Sequence, residues 1–175
     1  YGTRLGTRSE GEQARGDLLA MLDTLPAKGC LIISLDGVDV LSGSFADEAV
    51  GKALQLLVGR AYGDRTMILR SPTLELTEDL ADKLDQRKLA MLCVVGDAWS
   101  VIGRVAAPLR ETLARVIERE TVVVKDLADT LGIPANTCHN RIRRLVELRL
   151  IREEATGASA PQTQYRFRAI RCLED

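Results

Sequence analysis

The sequence predicts a mixed α/β (α+β) fold. A sheet flanked by helices comes first, followed by a helix-turn-helix with a β-hairpin. Three observations carry this. Apolar runs rich in β-branched residues at 30–35, 66–69 and 89–95 are separated by amphipathic runs of helical length, the alternation expected of βαβ units. Two further amphipathic runs flank Gly132 with only a short turn between them, the spacing of a helix-turn-helix. After a polar loop, Tyr165 and Phe167 alternate with Arg166 and Arg168, the period of a strand.

The bulk properties fit this. A chain of 175 residues suffices for one large or two small domains and a real core. An apolar fraction of 46% and a charged fraction of 28% are ordinary for a globular protein. The net charge of −1 excludes a polycation, but it is unevenly shared. Residues 1–118 hold 14 Lys/Arg against 17 Asp/Glu, whereas residues 119–175 hold 10 against 8, so the mildly basic end is the one suited to DNA. Cys30, Cys93, Cys138 and Cys172 form no C-x-x-C pair and are expected to be reduced thiols used as small hydrophobes in a cytoplasmic protein. No stretch approaches the roughly 18 apolar residues of a membrane span, and no signal peptide is visible. The chain opens at Tyr1 without a Met, so an upstream segment is expected to be missing.

In chain order, Ser9 and Glu12 have the spacing of a capping box ahead of Leu18, Leu19, Leu22 and Leu25, so a first helix is expected up to Pro26. Residues 30–35 predict a buried strand, turned by Asp36-Gly37. Phe45, Ala49, Ala53, Leu54, Leu57 and Val58 share a helical face, predicting a helix over 45–58. A strand at 66–69, a helix over 77–84 and a strand at 89–95 ending at Gly96-Asp97 follow. From Trp99 the pattern reads as helical. Trp99, Val101, Ile102 and Val105 are the candidate dimer contact, although packing inside the first domain explains Trp99 equally well. Pro108 is expected to break that run and start a fresh helix through Ile117.

Residues 121–152, TVVVKDLADTLGIPANTCHNRIRRLVELRLIR, are the most informative. Leu127, Ala128 and Leu131 share a face, and Gly132 ends that helix. Pro134 is expected to start a second helix, buried through Cys138, Ile142, Leu145 and Val146. Residues 150–153 and 163–168 read as strands joined by a loop over 155–161. The stretches VKDLADTLGI and PANTCHNRIRRLVELRLI, with the hairpin, resemble the winged helix-turn-helix family of bacterial transcriptional regulators over about a third of the chain. That resemblance implies that the second helix lies in a major groove and that the wing touches the flanking backbone or minor groove. It assigns Asn136, Thr137, Asn140, Arg141 and Arg144 to DNA contact. The chemistry agrees, since Asn can pair with adenine and Arg with guanine, each worth about 1–3 kcal/mol of discrimination. Arg141, Arg144, Arg166 and Arg168 can also neutralise phosphates. The plainer reading is a solvated helix face, and Glu153-Glu154 beside the wing would repel phosphate. Cys138 and His139 are adjacent and lack partners at zinc spacing, so no metal is expected.

The stretch VLSGSFADEAV places Ser42, Gly43 and Ser44 where a strand gives way to a helix. The run LIISLDGVDVLSGSFADEAVGKAL, with residues 6–11 upstream, resembles STAS-like domains over about residues 2–100, particularly the type with an SFADE helix start. That resemblance implies a helix-flanked sheet used in protein contact or ligand sensing. Where STAS switches are phosphorylated this chain has Gly43, which puts the phospho-switch in doubt. Ser44 is expected to cap the helix, about 1 kcal/mol, with Asp47 complementing the helix dipole. The alternative is an anion site at Ser42, Gly43 and Ser44 for a phosphorylated ligand, helped by Arg4, Arg8 or Arg15. Asp36, Asp39, Asp47 and Glu48 need no metal, because turn and cap chemistry explains them. No G-x-S-x-G elbow or Walker loop appears, the single histidine is His139, and neither an enzyme nor a cofactor is expected.

The expectation is therefore a STAS-like domain over 1–105 and a winged helix-turn-helix over 106–175. Together they form a cytoplasmic, dimeric regulator of double-stranded DNA whose first domain senses a ligand or regulatory protein or mediates dimerisation. The alternative is a partner-switching adaptor whose winged helix docks a protein.

Overall fold

The computed structural model describes residues 1–155 and 165–170. Over these the chain divides into Tyr1–Val105 and a second unit from Ala106. No described helix is long and apolar enough to cross a membrane.

In the first unit, β1 (Arg4–Leu5) pairs in parallel with β3 (Val40–Leu41). No residue pattern predicts this ladder, which is only two residues long. It pins the chain just ahead of α1 (Arg8–Thr24), and the capping box forms there from Thr7 and Glu10 rather than Ser9 and Glu12. The Thr7 hydroxyl accepts from the Glu10 N–H at 3.2 Å, and the Glu10 carboxylate accepts from the Thr7 N–H at 3.0 Å. Two overlapping four-residue boxes were available, and the one fixed by β1 formed. Starting here also turns Gly11 inward, where an added Cβ would meet the Phe45 carbonyl at 2.9 Å.

A four-stranded sheet follows in the order β2 (Cys30–Ser34), β4 (Thr66–Arg70), β5 (Ala90–Val95), β6 (Ala98–Gly103). The first three are parallel and β6 is antiparallel to β5. Two expectations change. β2 is the edge strand and only half-buried, while β4 takes the buried place beside it. The expected helix from Trp99 is strand β6, so the proposed dimer helix over 99–107 does not exist. Without β6, the far edge of β5 would be an open ladder of unpaired backbone groups. The two-residue turn Gly96-Asp97 brings Ala98 opposite Val95 and Ile102 opposite Met91. A short apolar run fits either period, and the turn decides the matter. At its end Gly103 has φ +83°, and an added Cβ would lie 2.5 Å from the Leu89 carbonyl oxygen.

The expected helix over 45–58 begins earlier, as α2 (Gly43–Ala46), a π segment (Asp47–Gly51) and α3 (Lys52–Val58) in succession. With α1 and α4 (Glu78–Gln86) it shares one core with alternate strand residues. Leu22, Leu57, Leu80, Leu84 and Leu69 are completely buried there, each worth roughly 1.5–3 kcal/mol. The π segment carries two ionic tethers. Glu48, 5% exposed, pairs with Arg15, with Lys52 at 2.6 Å and with Arg8 at 3.9 Å. Asp47 pairs with Arg87 at 2.6 Å. The hydrogen bond from Lys52, then that from Arg15, holds the Glu48 carboxyl below its usual range, and the Arg87 hydrogen bond does the same for Asp47.

The second unit contains α5 (Ala107–Arg119), β7 (Thr121–Val122), α6 (Val124–Leu131), α7 (Ala135–Glu147), β8 (Ile151–Ala155) and β9 (Tyr165–Ala169). Pro108 lies in the first turn of α5, as its missing N–H favours. The strands form an antiparallel sheet in the order β7-β9-β8. The expected loop after Ala155, and the start of its second strand at Thr163, lie outside the described residues.

Cys93 and Cys138 are buried thiols, and burial pushes Cys93 up to about 11. Cys30 is disulfide-bonded, which corrects the expectation of four reduced cysteines; Cys172 lies outside the described residues. Wide separation along a sequence says nothing about Cα proximity, which is what a disulfide requires.

Two predictions follow from the packing. Because Asp47 and Glu48 have lowered folded-state values, their stabilisation is fully present above their ordinary values, 3.8 for Asp47 and 4.5 for Glu48, and is lost as pH falls from there through the lowered folded-state values. Urea denaturation of Glu48→Gln should show a loss of about 1–3 kcal/mol at pH 7 and a flatter acid limb than wild type. Gly103→Ala combines a left-handed φ with a backbone clash, and the same measurement should show a loss exceeding about 2 kcal/mol.

Candidate nucleic-acid interface

The second unit is built around the rotational setting of α7. Cys138, Ile142 and Leu145 are completely buried, and α7 packs on both α5 and α6. Gly132 makes the connection, with φ +62° and ψ +33°, and donates to Ala128 and Asp129 at the end of α6. Such a left-handed cap turns the chain within one residue at no steric cost to glycine. Pro134 is the residue before the first turn of α7 rather than its first helical residue. No side chain caps α7 among the described residues, so its first N–H groups are open to an outside acceptor.

With the buried stripe fixed, a turn of 100° per residue determines what faces outward. Asn136, Asn140, Arg143 and Glu147 lie opposite the stripe, with Thr137 and Arg144 beside them, and all are exposed. Asn136, Thr137, Asn140 and Arg144 are therefore placed as the sequence suggested. Arg141 is not. It lies at the flank of the stripe with a side chain only 19% exposed, and its Nη1 reaches Pro108 O at 3.4 Å, Thr112 Oγ1 at 3.4 Å and Glu111 Oε2 at 3.5 Å. It acts as a tether between α7 and α5. Arg143 is the residue that sequence reasoning missed, although the Cys138, Ile142 and Leu145 stripe already implied its outward direction.

Several of these charges are balanced. Arg144 pairs with Glu147 at 2.9 Å and Arg168 with Glu154 at 3.8 Å. Arg166 is exposed and stands opposite Glu154 in the β8–β9 ladder. Exposed pairs of this kind contribute about 0–1 kcal/mol, so a phosphate can displace the carboxylate. Phe167 is buried while Tyr165, two residues nearer the wing tip on the same face, is 50% exposed.

The second candidate, Ser42, Gly43 and Ser44, forms a helix start already satisfied from within. Ser42, not Ser44, is the cap: its hydroxyl accepts from the Phe45 N–H at 3.2 Å and donates to the Gly6 carbonyl at 2.6 Å. The Gly43 N–H donates to the Asp79 carboxylate at 2.9 Å, occupying the position a bound phosphate would need. Ser44 is exposed. Of the arginines expected to help, Arg8 and Arg15 are engaged with Glu48. The anion-site expectation is corrected accordingly: a carboxylate of the same chain fills the role.

Comparison with known proteins agrees on the second unit. Residues 113–152, from the middle of α5 into β8, match the family model described as winged helix-turn-helix DNA-binding. This match covers less than a quarter of the chain and does not extend to residues 2–100, where the STAS-like resemblance lies. No curated protein matches the chain. Among solved structures, one similar chain is ScpB from Mycobacterium tuberculosis, 17% identical over 91% of each chain with a TM-score of 0.31. At that score the likeness carries no argument about fold or function. The chain thus contains a winged helix-turn-helix DNA-binding module behind an α/β unit.

Proposed function

We propose that the protein is a sequence-specific regulator of double-stranded DNA, with α7 in the major groove and the β8–β9 wing on the adjacent backbone. The observation that carries this reading is the outward stripe of Asn136, Asn140 and Arg143, exposed and opposite a fully buried stripe, inside a module that matches DNA-binding winged helices. Amide and guanidinium groups on one rigid helix face are the chemistry of major-groove readout. The open N–H groups at the start of α7 suit a phosphate.

The amino-terminal unit is proposed to sense a ligand or partner, without catalysis. Dimerisation is proposed because two half-sites multiply a modest single-module affinity, and a cytoplasmic site of action follows from the DNA target. One observation favours a second reading. The Arg144–Glu147 and Arg168–Glu154 pairs lower the positive potential of the module, which suits an adaptor whose winged helix docks a protein.

Duplex binding measured by fluorescence anisotropy separates the two. The DNA reading expects affinity that falls steeply with salt, and a loss in Arg143→Ala of about 1–3 kcal/mol, roughly 5- to 150-fold. Arg141→Ala should lower thermal stability more than DNA affinity. Absence of duplex binding at low salt, or an unchanged Arg143→Ala, would favour the adaptor.

A further inference from the structure

We propose that the amino-terminal unit carries a docking groove for a cationic peptide segment with an apolar, leucine-like anchor, supplied by a partner protein. The groove is a cleft of about 460 Å³ between residues 38–41 and 72–79. It lies beyond the carboxyl ends of the parallel neighbours β2 and β4. The inference gives chemistry to the partner role proposed for this unit. It uses no property of α7, so loss of DNA binding would leave it intact.

Apolar exposure and charge coincide here. Val40 lines the cleft at 37% exposed, and Leu74, between the lining residues Thr73 and Glu75, is 50% exposed. No lysine, arginine or histidine lines it, whereas Asp39, Glu75, Glu78 and Asp79 do. Asp79 is engaged by the Gly43 N–H. The carboxylates of Asp39, Glu75 and Glu78 make no ion pair among the described residues.

Helix-dipole complementarity accounts for Glu75 and Glu78 at the start of α4. It does not account for Asp39, which is on another loop, nor for the exposed Val40 and Leu74. Nor do these carboxylates form a metal site: among the described residues, no three acidic, histidine or cysteine side chains stand close enough to share an ion. Separated carboxylates around an apolar patch complement separated cationic groups around an apolar side chain. A peptide presents that arrangement, and a cleft of this volume holds only a few side chains.

The test is fluorescence anisotropy on the full chain. The probe is a fluorescein-labelled nonapeptide of lysines and arginines around two central leucines, and the control peptide has serines in place of the leucines. The leucine peptide is expected to bind about tenfold more tightly than the serine peptide, and Glu75→Lys with Glu78→Lys should weaken it by about tenfold or more. Leu74→Ser, an exposed change that leaves α4 and its charges in place, should weaken the leucine peptide severalfold and the serine peptide hardly at all. Equal affinity for the two peptides, equal competition by spermine, or unchanged binding in Leu74→Ser would overturn the proposal, because each reduces the groove to a diffuse negative surface.

Discussion

The packing of Cys138, Ile142 and Leu145 against α5 and α6 is the contact on which the functional reading depends. A helix buried on one side has a single rotational setting, and that setting selects the residues that can meet a partner. Here it turns Asn136, Asn140 and Arg143 outward and draws Arg141 back onto α5. Gly132 holds the second constraint, since its left-handed backbone allows α6 and α7 to join without a longer loop. The wing repeats the same logic at period two, with Phe167 buried while Arg166 and Arg168 on either side of it remain exposed.

The first unit solves a different problem, that of burying a π segment with two adjacent carboxylates. Glu48 and Asp47 face cations from α1, α3 and the end of α4, so their charges fasten three elements together. Asp79 likewise joins the start of α4 to the start of α2 through the Gly43 N–H. The helix start that the SGS stretch announces is therefore a structural junction.

Much of this was legible in the sequence where one local signal was strong. The helix-turn-helix was read from Gly132, Pro134 and the apolar stripe, and β2, β4 and β5 from their short apolar runs, whereas their parallel pairing was not. Failures arose where two local signals competed and a distant contact decided between them. Two overlapping capping boxes were resolved by the β1–β3 ladder, and Ser42 outcompeted Ser44 because its hydroxyl also reaches Gly6. Residues 98–103 satisfied a helical period and a strand period alike, and the open edge of β5 settled the choice. The engagement of Arg141 by Glu111 and of Gly43 by Asp79 spans 30 or more positions, beyond any reading of local spacing.

The central claim is that the outward stripe of α7 is the surface that meets DNA. It is tested most directly by two-dimensional amide NMR of the isotopically labelled full chain, titrated with a mixed-sequence duplex. The account predicts shifts concentrated at Asn136, Thr137, Asn140 and Arg143, at the open start of α7 and along β9, with the amides of β2 and β4 unmoved. Shifts confined to the first unit, or to Arg141 and α5 with the α7 stripe silent, would contradict it.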